Sequence, residues 1–356
     1  MFVLRELLQK LVSIPGPCGF EHEVARYLFD RLKGSADDAW VDGLGNVLIK
    51  RVGAHPGPTL MLSAHADEVG FIVKKIEPNG LLRFEKVGGH DDRVLLSEHV
   101  TVTTQEGKRY EGVIGCISCH MLRFDDPHLV RKHSDMYIDV GARDAEGVRR
   151  MGIQVADPIT WATPYREFGE GRAMGHAFDD RAGCAVLAKC LEEIDFSKVH
   201  GTVYGVFSTQ EELGLRGARV ASQQITADVA IAIDTTAVSD TFEGMMDHTL
   251  ALGAGVGIKA MDHSLMASVA VRRQLTELAV QHGIPHQIEV FCGIGTDAGE
   301  MHKEKAGVPT CTLSIPSRYA HCPYEVIDLG DLQATHDLLT RFILSMRSRE
   351  EFSFLR

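Results

Sequence analysis

The sequence predicts an α/β fold with a mainly parallel sheet and helices on both of its faces, interrupted by a small all-β domain. Helical and strand patterns alternate over residues 1–68 and again over 165–356, which is typical of parallel strands joined by crossover helices. Between them, residues 69–164 contain short β-rich runs. The chain has 356 residues, 44% hydrophobic and 24% charged, which suits a large globular domain with a smaller one.

The segment before residue 69 predicts two helices followed by two strands. Apolar residues recur at steps of three and four in each helix, as a helix with one buried face requires. They are Leu4, Leu7, Leu8 and Leu11 in the first helix and Val24, Tyr27, Leu28 and Leu32 in the second. The runs NVLIKR and PTLMLSAH then predict strands, the second of which ends at His65.

Residues 69–164 predict an inserted, β-barrel-like domain. The apolar runs of this interval are VGFIVKKI, LLRFEKV, HVTVTT and MYIDVG, and Gly, Asn and Asp separate them. No helical period is evident in this interval. We therefore expect it to be all β.

From residue 165 onward, helix and strand patterns alternate again. Helices are expected over about residues 180–194, 264–282 and 329–346. Strands are expected at residues 202–208 and at the runs DVAIAID, HQIEVF and PTCTLSI. This half of the chain therefore completes the α/β sheet that residues 1–68 begin.

The charge balance and the cysteine spacing disfavour several classes of protein. A net charge of −12 argues against binding to nucleic acid or to an anionic membrane, because both need clustered Lys and Arg. Charges interrupt the apolar pattern of the N-terminus, and no apolar run approaches the roughly 18 residues of a membrane span. The eight cysteines are irregularly spaced, which favours a reduced, cytoplasmic protein over a disulfide framework.

One pair of cysteines matches a known cofactor pattern. Residues 116–120 read CISCH, the pattern of covalent c-type haem attachment. The pattern lies in a β-rich region without an export signal, and no second cysteine pair lies nearby to complete a zinc site. We therefore expect Cys116 and Cys119 to be core or turn residues, and the sequence leaves any further role of the pair open.

Acidic residues and histidines stand at five places where predicted strands end or helices begin. They are His65 with Asp67, Asp179 with Asp180, Glu211 with Glu212, Asp234, and His321. In an open α/β sheet, ligands bind beyond the carboxyl ends of the strands. Singly, each residue has a structural explanation, such as a helix cap, a turn or a solvated loop histidine. Together, nitrogen and carboxylate ligands without thiolate suit Zn²⁺, Co²⁺ or Mn²⁺, and their number fits two ions that share one bridging carboxylate.

Successive motifs of the chain resemble those of a known enzyme family. SAHADEVGF, AFDDRAG, STQEELGLRGA, AIDTT, GIGTDAG and RYAHCPYEVIDLGDL are similar to motifs of the dinuclear-metal aminopeptidases. That family includes bacterial glutamyl aminopeptidase and the archaeal tetrahedral aminopeptidases, and some members are labelled cellulase M or endoglucanase. The resemblance covers nearly the whole chain and implies a zinc-exopeptidase-like fold and a metal-dependent aminopeptidase.

The resemblance implies a role for each candidate residue. The implied metal ligands are His65 and Asp234 for one metal, Glu212 and His321 for the other, and Asp179 as the bridge. A cis peptide bond would follow Asp179. Asp67 lies on the same strand face as His65 if the strand continues, and its carboxylate would hold the other imidazole nitrogen.

The neighbouring glutamates would have different functions. Consecutive side chains of an extended segment diverge, so Glu212 can face a metal while Glu211 faces the substrate. Glu211 would then be the general base that takes a proton from the attacking water and passes it to the leaving amine. Asp297, in the GIGTDAG loop, would contact the amino end of the substrate, or it simply closes a turn before a helix at 298–305.

The resemblance also implies cofactors and partners. Two divalent ions per subunit, zinc or cobalt with manganese as a further candidate, would be the cofactors, and peptides with a free N-terminus would be the substrates. The inserted domain would form dimers, and the dimers would assemble into a tetrahedral dodecamer. Acidic, basic and apolar N-terminal residues are all served within this family, so the resemblance leaves the specificity open.

Two other functions remain open. The same fold could carry a deacylase, another amide hydrolase or a glycan hydrolase, but a glycosidase needs two carboxylates and no metal pair, which leaves His65 and His321 without a role. The chain could also be a metal-binding protein without turnover, and Glu211 argues against this because binding alone needs only Glu212.

Overall fold

The computed structural model describes residues 2–124, 126 and 128–355. The helices are α1 (Phe2–Val12), α2 (His22–Leu32), α3 (Ala145–Met151), α4 (Phe178–Glu193), α5 (Arg216–Gln224), α6 (Val269–His282), α7 (Ala298–Met301) and α8 (Leu329–Ser345). The strands are β1 (Asp38–Val41), β2 (Val47–Val52), β3 (His55–His65), β4 (Gly70–Ile76), β5 (Leu82–Val87), β6 (His99–Thr103), β7 (Arg109–Ile114), β8 (Ile138–Asp139), β9 (Pro158–Trp161), β10 (Arg166–Phe168), β11 (Arg172–Gly175), β12 (His200–Ser208), β13 (Val229–Ala237), β14 (Val256–Met261), β15 (His286–Val290), β16 (Thr310–Arg318) and β17 (Glu325–Asp328).

A single large sheet of eleven strands forms the body of the protein. Its centre, in the order β12, β3, β13 and β16, is parallel, and β14 pairs in parallel with β15. The flanking strands, including β1, β2, β10, β11 and β17, pair in antiparallel fashion. The predicted α/β class with a mainly parallel sheet is therefore confirmed.

The central strand β13 indicates how this sheet is covered. Successive side chains of a strand point to opposite faces, and residues 229–236 of β13 are all buried. Both faces of the sheet are therefore shielded from solvent here, and α4 packs on β3 and β13 while α5 packs against β12. The short strands β1, β10, β11 and β17 were not predicted, because runs of four residues or fewer show little alternation.

Six strands, in the order β4, β5, β8, β7, β6 and β9, close into a barrel inside the interval 69–164. The barrel has its own hydrophobic core, in which the ring of Phe71 meets those of Phe84 and Trp161 edge to face at centroid distances of 5.1 and 4.8 Å. An aromatic core of this kind stabilises a barrel by burying large apolar area.

The interval 69–164 also contains the helix α3, which the sequence pattern did not predict. Asp144 caps it by accepting a hydrogen bond from the amide of Gly147 at 2.7 Å, and Gly152 ends it with a φ of 86°. The helix has seven residues, and two turns are too few to show a helical period. The expectation that this interval is all β therefore needs this correction.

Two further expectations differ from the structure in detail. The helix expected over 264–282 begins at Val269, because Asp262 accepts the amides of Ser264 and Leu265, both at 2.7 Å, and closes a turn there. Cys116 and Cys119 are exposed, so neither belongs to the core. No helix in the described ranges is both long enough and apolar enough to cross a membrane.

Candidate active site

The candidate metal ligands meet at the carboxyl edge of the parallel strands. His65 is the last residue of β3 and is paired with Ser208, the last residue of β12. The chain then turns into a short 3-10 helix, Glu211–Leu213, which carries both glutamates. Asp234 lies in β13, paired in parallel with Ser314 of β16. Neighbouring parallel strands end at the same edge, which brings these distant residues together.

Two further residues reach this edge from connecting segments. Asp179 lies at the start of α4, and its peptide bond to Asp180 is cis, as the resemblance implied. His321 lies between β16 and β17. The buried carboxylate of Glu325 holds both segments, because it accepts the amide of Asp179 at 3.0 Å and that of His321 at 2.9 Å. Sequence reasoning missed this role of Glu325, although the residue lies within the motif RYAHCPYEVIDLGDL.

The first group of candidate ligands consists of His65, Asp179 and Asp234. The Nε2 atom of His65 lies 2.9 Å from Oδ1 of Asp179 and 3.7 Å from Oδ1 of Asp234. The ligand atoms of all three residues lie within 4.8 Å of one another. These are the three residues for which the resemblance implies two terminal ligands and a bridge, and the structure brings them together.

The second group consists of Asp179, Glu212 and His321. The Nε2 atom of His321 lies 3.0 Å from Oε1 of Glu212 and 3.4 Å from Oδ2 of Asp179. These ligand atoms also lie within 4.8 Å of one another. Asp179 therefore turns one carboxylate oxygen toward each histidine and is the residue that the two groups share.

The nitrogen and oxygen atoms around His321 are arranged as ligands of a bound cation would be. Its Nδ1 atom lies 2.8 Å from the carbonyl oxygen of Gly89, which can only accept, so Nδ1 is the donor. The Nε2 atom then faces carboxylate oxygens, which also only accept, and the buried Oε1 atom of Glu212 has no hydrogen-bond partner. A cation between them would bind the lone pairs of Nε2 and of the carboxylate oxygens at once. Imidazole nitrogen with carboxylate oxygen is a ligand set for divalent transition metals.

The crowded carboxylates have perturbed pKa values. Burial raises the pKa of Glu211, and the negative charges of Asp234 and Glu212 raise it further. Burial also raises the pKa of Asp234 to about 7, against the opposing effect of His65. For Asp179, burial acts upward but the contacts with His321 and His65 outweigh it, so the pKa is lowered. Cations bound among these groups would lower the pKa of Glu211 and Asp234 and favour their ionised forms.

Asp67 has a different set of contacts from the one expected. Its carboxylate lies 3.5 Å from Nδ1 of His65, whereas the backbone carbonyl of Asp67 lies nearer to that nitrogen, at 3.2 Å. The fully buried carboxylate instead accepts the amides of Glu211 at 3.0 Å and of Glu212 at 3.1 Å. Asp67 thus connects the histidine on β3 to both glutamates.

Glu211 lies on the wall of a cavity of about 670 Å³ at this edge. The cavity is also lined by the candidate ligands Asp179, Glu212, Asp234 and His321 and by apolar residues of neighbouring loops, among them Leu215, Phe291 and Ile294. A carboxylate of Glu211 on this wall can reach both a substrate and the candidate metal ligands. One of its carboxylate oxygens also lies within 4.8 Å of the ligand atoms of His65 and Glu212. A base must lie close to the water that attacks the substrate.

Asp297 does not line this cavity, and the geometry gives no support to its predicted contact with the substrate. Its side chain is buried, 2% exposed, and accepts hydrogen bonds from the hydroxyls of Ser63 at 2.6 Å and Ser208 at 2.5 Å. These two serines lie on adjacent parallel strands, so Asp297 connects β3 to β12 beneath the site. The four-residue helix α7 follows it, which fits the alternative that it ends a turn.

Comparison with known proteins assigns this arrangement to a family. Residues 45–338 match the M42 glutamyl aminopeptidase family. A lysyl aminopeptidase of Pyrococcus furiosus is 33% identical over 93% of this chain and 94% of its own. The structure of an aminopeptidase from the archaeon Desulfurococcus kamchatkensis superposes with a TM-score of 0.93 at 37% identity, covering 98% of this chain and 96% of that one. A TET1 peptidase of Pyrococcus horikoshii, described as able to assemble into a tetrahedron or a large octahedral shell, gives 0.86 at 30% identity, covering 96% and 100%.

Proposed function

Since the chain belongs to the M42 glutamyl aminopeptidase family, and is therefore a metal-dependent aminopeptidase, we propose that it hydrolyses N-terminal residues from peptides with two divalent ions bound at the shared carboxylate of Asp179. The observation that carries the proposal is the pair of ligand groups, each with one histidine and one further carboxylate, that meet at this residue. A bridging carboxylate with two terminal ligands on each side is the ligand set of a dinuclear site.

We propose that the ligands divide as the family resemblance implies. His65 and Asp234 would hold one ion and Glu212 and His321 the other, and zinc, cobalt or manganese suit this set. When bound, the two ions would polarise the scissile carbonyl and make a water molecule more acidic. We propose that the two ions are zinc or cobalt.

Glu211 is the proposed general base. Its carboxylate lies on the cavity wall while its amide is fixed by Asp67, so the side chain is free to meet the attacking water although its backbone is held. It would take a proton from that water and give it to the nitrogen of the leaving peptide, as a general base that later acts as an acid does. Asp67 would orient His65 and both glutamates rather than exchange protons with substrate.

The cavity also suits a substrate with a free amino terminus. Apart from the proposed metal ligands, the lining carries the carboxylates of Glu211 and Asp91 and, among the described residues, no Lys or Arg, and such a surface favours a cationic ammonium group. An N-acetylated substrate lacks that charge. The proposal therefore concerns exopeptidase activity, and equal cleavage of blocked substrates would indicate a deacylase or another amide hydrolase.

The protein is proposed to act as a homo-oligomer in the cytoplasm. The tetrahedral assembly of the Pyrococcus horikoshii relative and the dodecamer described for PhTET1-12s, which is 30% identical, support a dodecamer, which we propose is built from dimers. We propose that residues 69–164 form an inserted dimerisation domain, separate from a catalytic domain of residues 1–68 and 165–356, because the barrel has a core of its own. Mass measurement by light scattering tests this assembly, and a stable monomer would contradict it.

The activity is tested with a panel of aminoacyl p-nitroanilides and their N-acetylated counterparts, after chelation and after reloading with Co²⁺ or Zn²⁺. We expect release from the free-amine compounds only, and only after reloading. Equal cleavage of acetylated compounds would favour the deacylase, and a protein that binds metal but releases nothing would be a binding protein.

A further inference from the structure

The chain segment that carries the proposed base is held by an unusual row of hydrogen bonds. Four consecutive backbone amides, those of residues 209–212, each donate to a buried side chain from another part of the chain. The bonds are Thr209 N to Asn46 Oδ1 at 2.9 Å, Gln210 N to Glu21 Oε1 at 3.1 Å, Glu211 N to Asp67 Oδ1 at 3.0 Å, and Glu212 N to Asp67 Oδ2 at 3.1 Å. We call residues 209–212 the catalytic loop.

Gln210 is the point at which this loop leaves the strand direction. Its φ of 54° and ψ of 36° lie in the left-handed region, which residues other than glycine rarely adopt. This turn separates the end of β12 from the 3-10 helix of the two glutamates. The amide of this residue donates to Glu21, so Glu21 stabilises the conformation that aims Glu211 and Glu212 away from the strand.

Glu21 is itself held rigidly. It is 5% exposed, lies directly before α2, and its Oε1 atom accepts the amide of Gly19 at 2.8 Å as well as that of Gln210. Both bonds use the same oxygen. A glutamine at this position can therefore keep both bonds through its carbonyl oxygen, whereas a side chain without an acceptor loses both.

Asn46 fixes the other end of the loop. It is fully buried, and its amide nitrogen donates to Oδ2 of Asp42 at 2.8 Å and to the carbonyl of Gly217 at 3.0 Å. Its Oδ1 atom is therefore the atom that faces Thr209. A Cβ atom on Gly217 would lie 2.4 Å from that Oδ1 atom, so glycine allows α5 to approach this contact.

We propose that Glu21 is a positioning residue of the peptidase reaction, which through the amide of Gln210 holds the catalytic loop so that the carboxylate of Glu211 faces the substrate cavity. This inference rests on the proposed function, because it takes Glu211 as the base.

The experiment compares Glu21→Met with Glu21→Gln in the full-length, metal-loaded protein. Glu21→Met removes the acceptor at similar size, and we expect kcat to fall about 10- to 100-fold, since a displacement of about 1 Å costs up to about 10²-fold. KM should stay near wild type, and so should the metal content, because Asp67 still holds the amide of Glu212 and the other proposed ligands lie outside the loop. Glu21→Gln keeps the acceptor and should retain most of the wild-type kcat.

The control is a buried carboxylate with similar bonds in α8, a helix that packs on α4, α6, β14, β16 and β17. Asp331, 1% exposed, accepts the amides of Gly253 and Gly255, both at 2.7 Å. Asp331→Leu should lower the melting temperature in the same way as Glu21→Met but leave kcat of the folded protein unchanged. A purely structural role of Glu21 would give the two variants the same kcat.

Three results would overturn the inference: wild-type kcat in Glu21→Met, an equal loss of kcat in Asp331→Leu, or an equal loss in Glu21→Gln. If Glu21→Met does not fold, Glu21→Asp, whose side chain is one methylene shorter, should give an intermediate kcat, and wild-type kcat there would also overturn it. Failure of the proposed function is separate, because it appears as full turnover in Glu211→Gln whatever the Glu21 variants do.

Discussion

Replacement of Glu211 by glutamine separates proton transfer from folding and metal binding. Within the described part of the chain, no group donates a hydrogen bond to the carboxylate of Glu211, whereas its amide is held by Asp67 at 3.0 Å. Among the described residues, the substitution therefore breaks no hydrogen bond of the side chain, and it leaves the backbone bond in place. Without bound metal, burial raises the pKa of this carboxyl group, so a neutral amide of the same shape should not destabilise the metal-free fold.

The expected loss is that of a general base. Proton transfer by a positioned side chain contributes about 10²- to 10⁴-fold to the rate, and at about 1.36 kcal/mol per tenfold the barrier rises by about 3–5 kcal/mol. We expect kcat for a leucyl p-nitroanilide to fall by this factor in Glu211→Gln. KM, the melting temperature and the metal content by plasma mass spectrometry should stay close to those of the wild type.

The adjacent glutamate supplies a matched control. Glu212 lies 3.0 Å from Nε2 of His321, so Glu212→Gln should lose bound metal together with activity and recover part of its activity at high metal concentration. Glu211→Gln should keep its metal and should not recover. Wild-type kcat in Glu211→Gln, or its recovery with added metal, would refute the assignment of Glu211 as the base.

Three further results are expected. Asp179→Ala should lower the affinity for both metal ions, because both ligand groups include Asp179, whereas Asp234→Ala should lower the affinity for only one of them. Calorimetric titration of the chelated protein measures both affinities. Equal losses in the two variants would contradict the assignment of Asp179 as the shared ligand. Asp91 lines the cavity, and no Lys or Arg of the described residues does. Glutamyl substrates should therefore have a lower kcat/KM than leucyl ones. Faster release of glutamate would show that the cavity does not disfavour an acidic side chain. Burial lowers the pKa of His336, but its contact with Asp337 more than offsets this and the pKa is raised to about 10. The folded state then keeps a proton that the unfolded state loses near its ordinary pKa of about 6.5. The free energy of unfolding of the wild type should therefore fall relative to that of His336→Gln between about pH 6.5 and 10, by up to about 1.4 kcal/mol per pH unit, and parallel pH curves in chemical denaturation would contradict it.

The candidate ligands could be selected from the sequence because they stand where predicted strands end or helices begin, and the structure brings these residues together; their separate roles came from the family resemblance. His65 and Asp234 stand on predicted parallel strands, and the carboxyl ends of such strands share an edge. The adjacent glutamates were expected to diverge because they would lie in an extended segment, and this premise is wrong, since both lie in the 3-10 helix Glu211–Leu213. The end of a strand can be recognised without knowledge of side-chain packing, whereas the conformation of the turn that follows it cannot.

Contacts between distant segments could not be predicted in this way. Asp297 stands in a loop sequence typical of a substrate site, yet its partners Ser63 and Ser208 are far away in the chain and only the packed sheet brings them together. The bonds of Glu325 and Glu21 to backbone amides leave no pattern in the sequence, because an amide acceptor requires no particular residue type opposite it. The helix α3 is too short for its period to be recognised.

The most direct test of the central claim is a titration of the chelated protein with Zn²⁺ or Co²⁺ in which bound metal and leucyl p-nitroanilide hydrolysis are measured on the same samples. We expect saturation at two ions per subunit, with full activity reached only as the second ion binds, and a parallel loss of binding and activity in Asp179→Ala. Saturation at one ion, or activity that does not depend on bound metal, would contradict the dinuclear site.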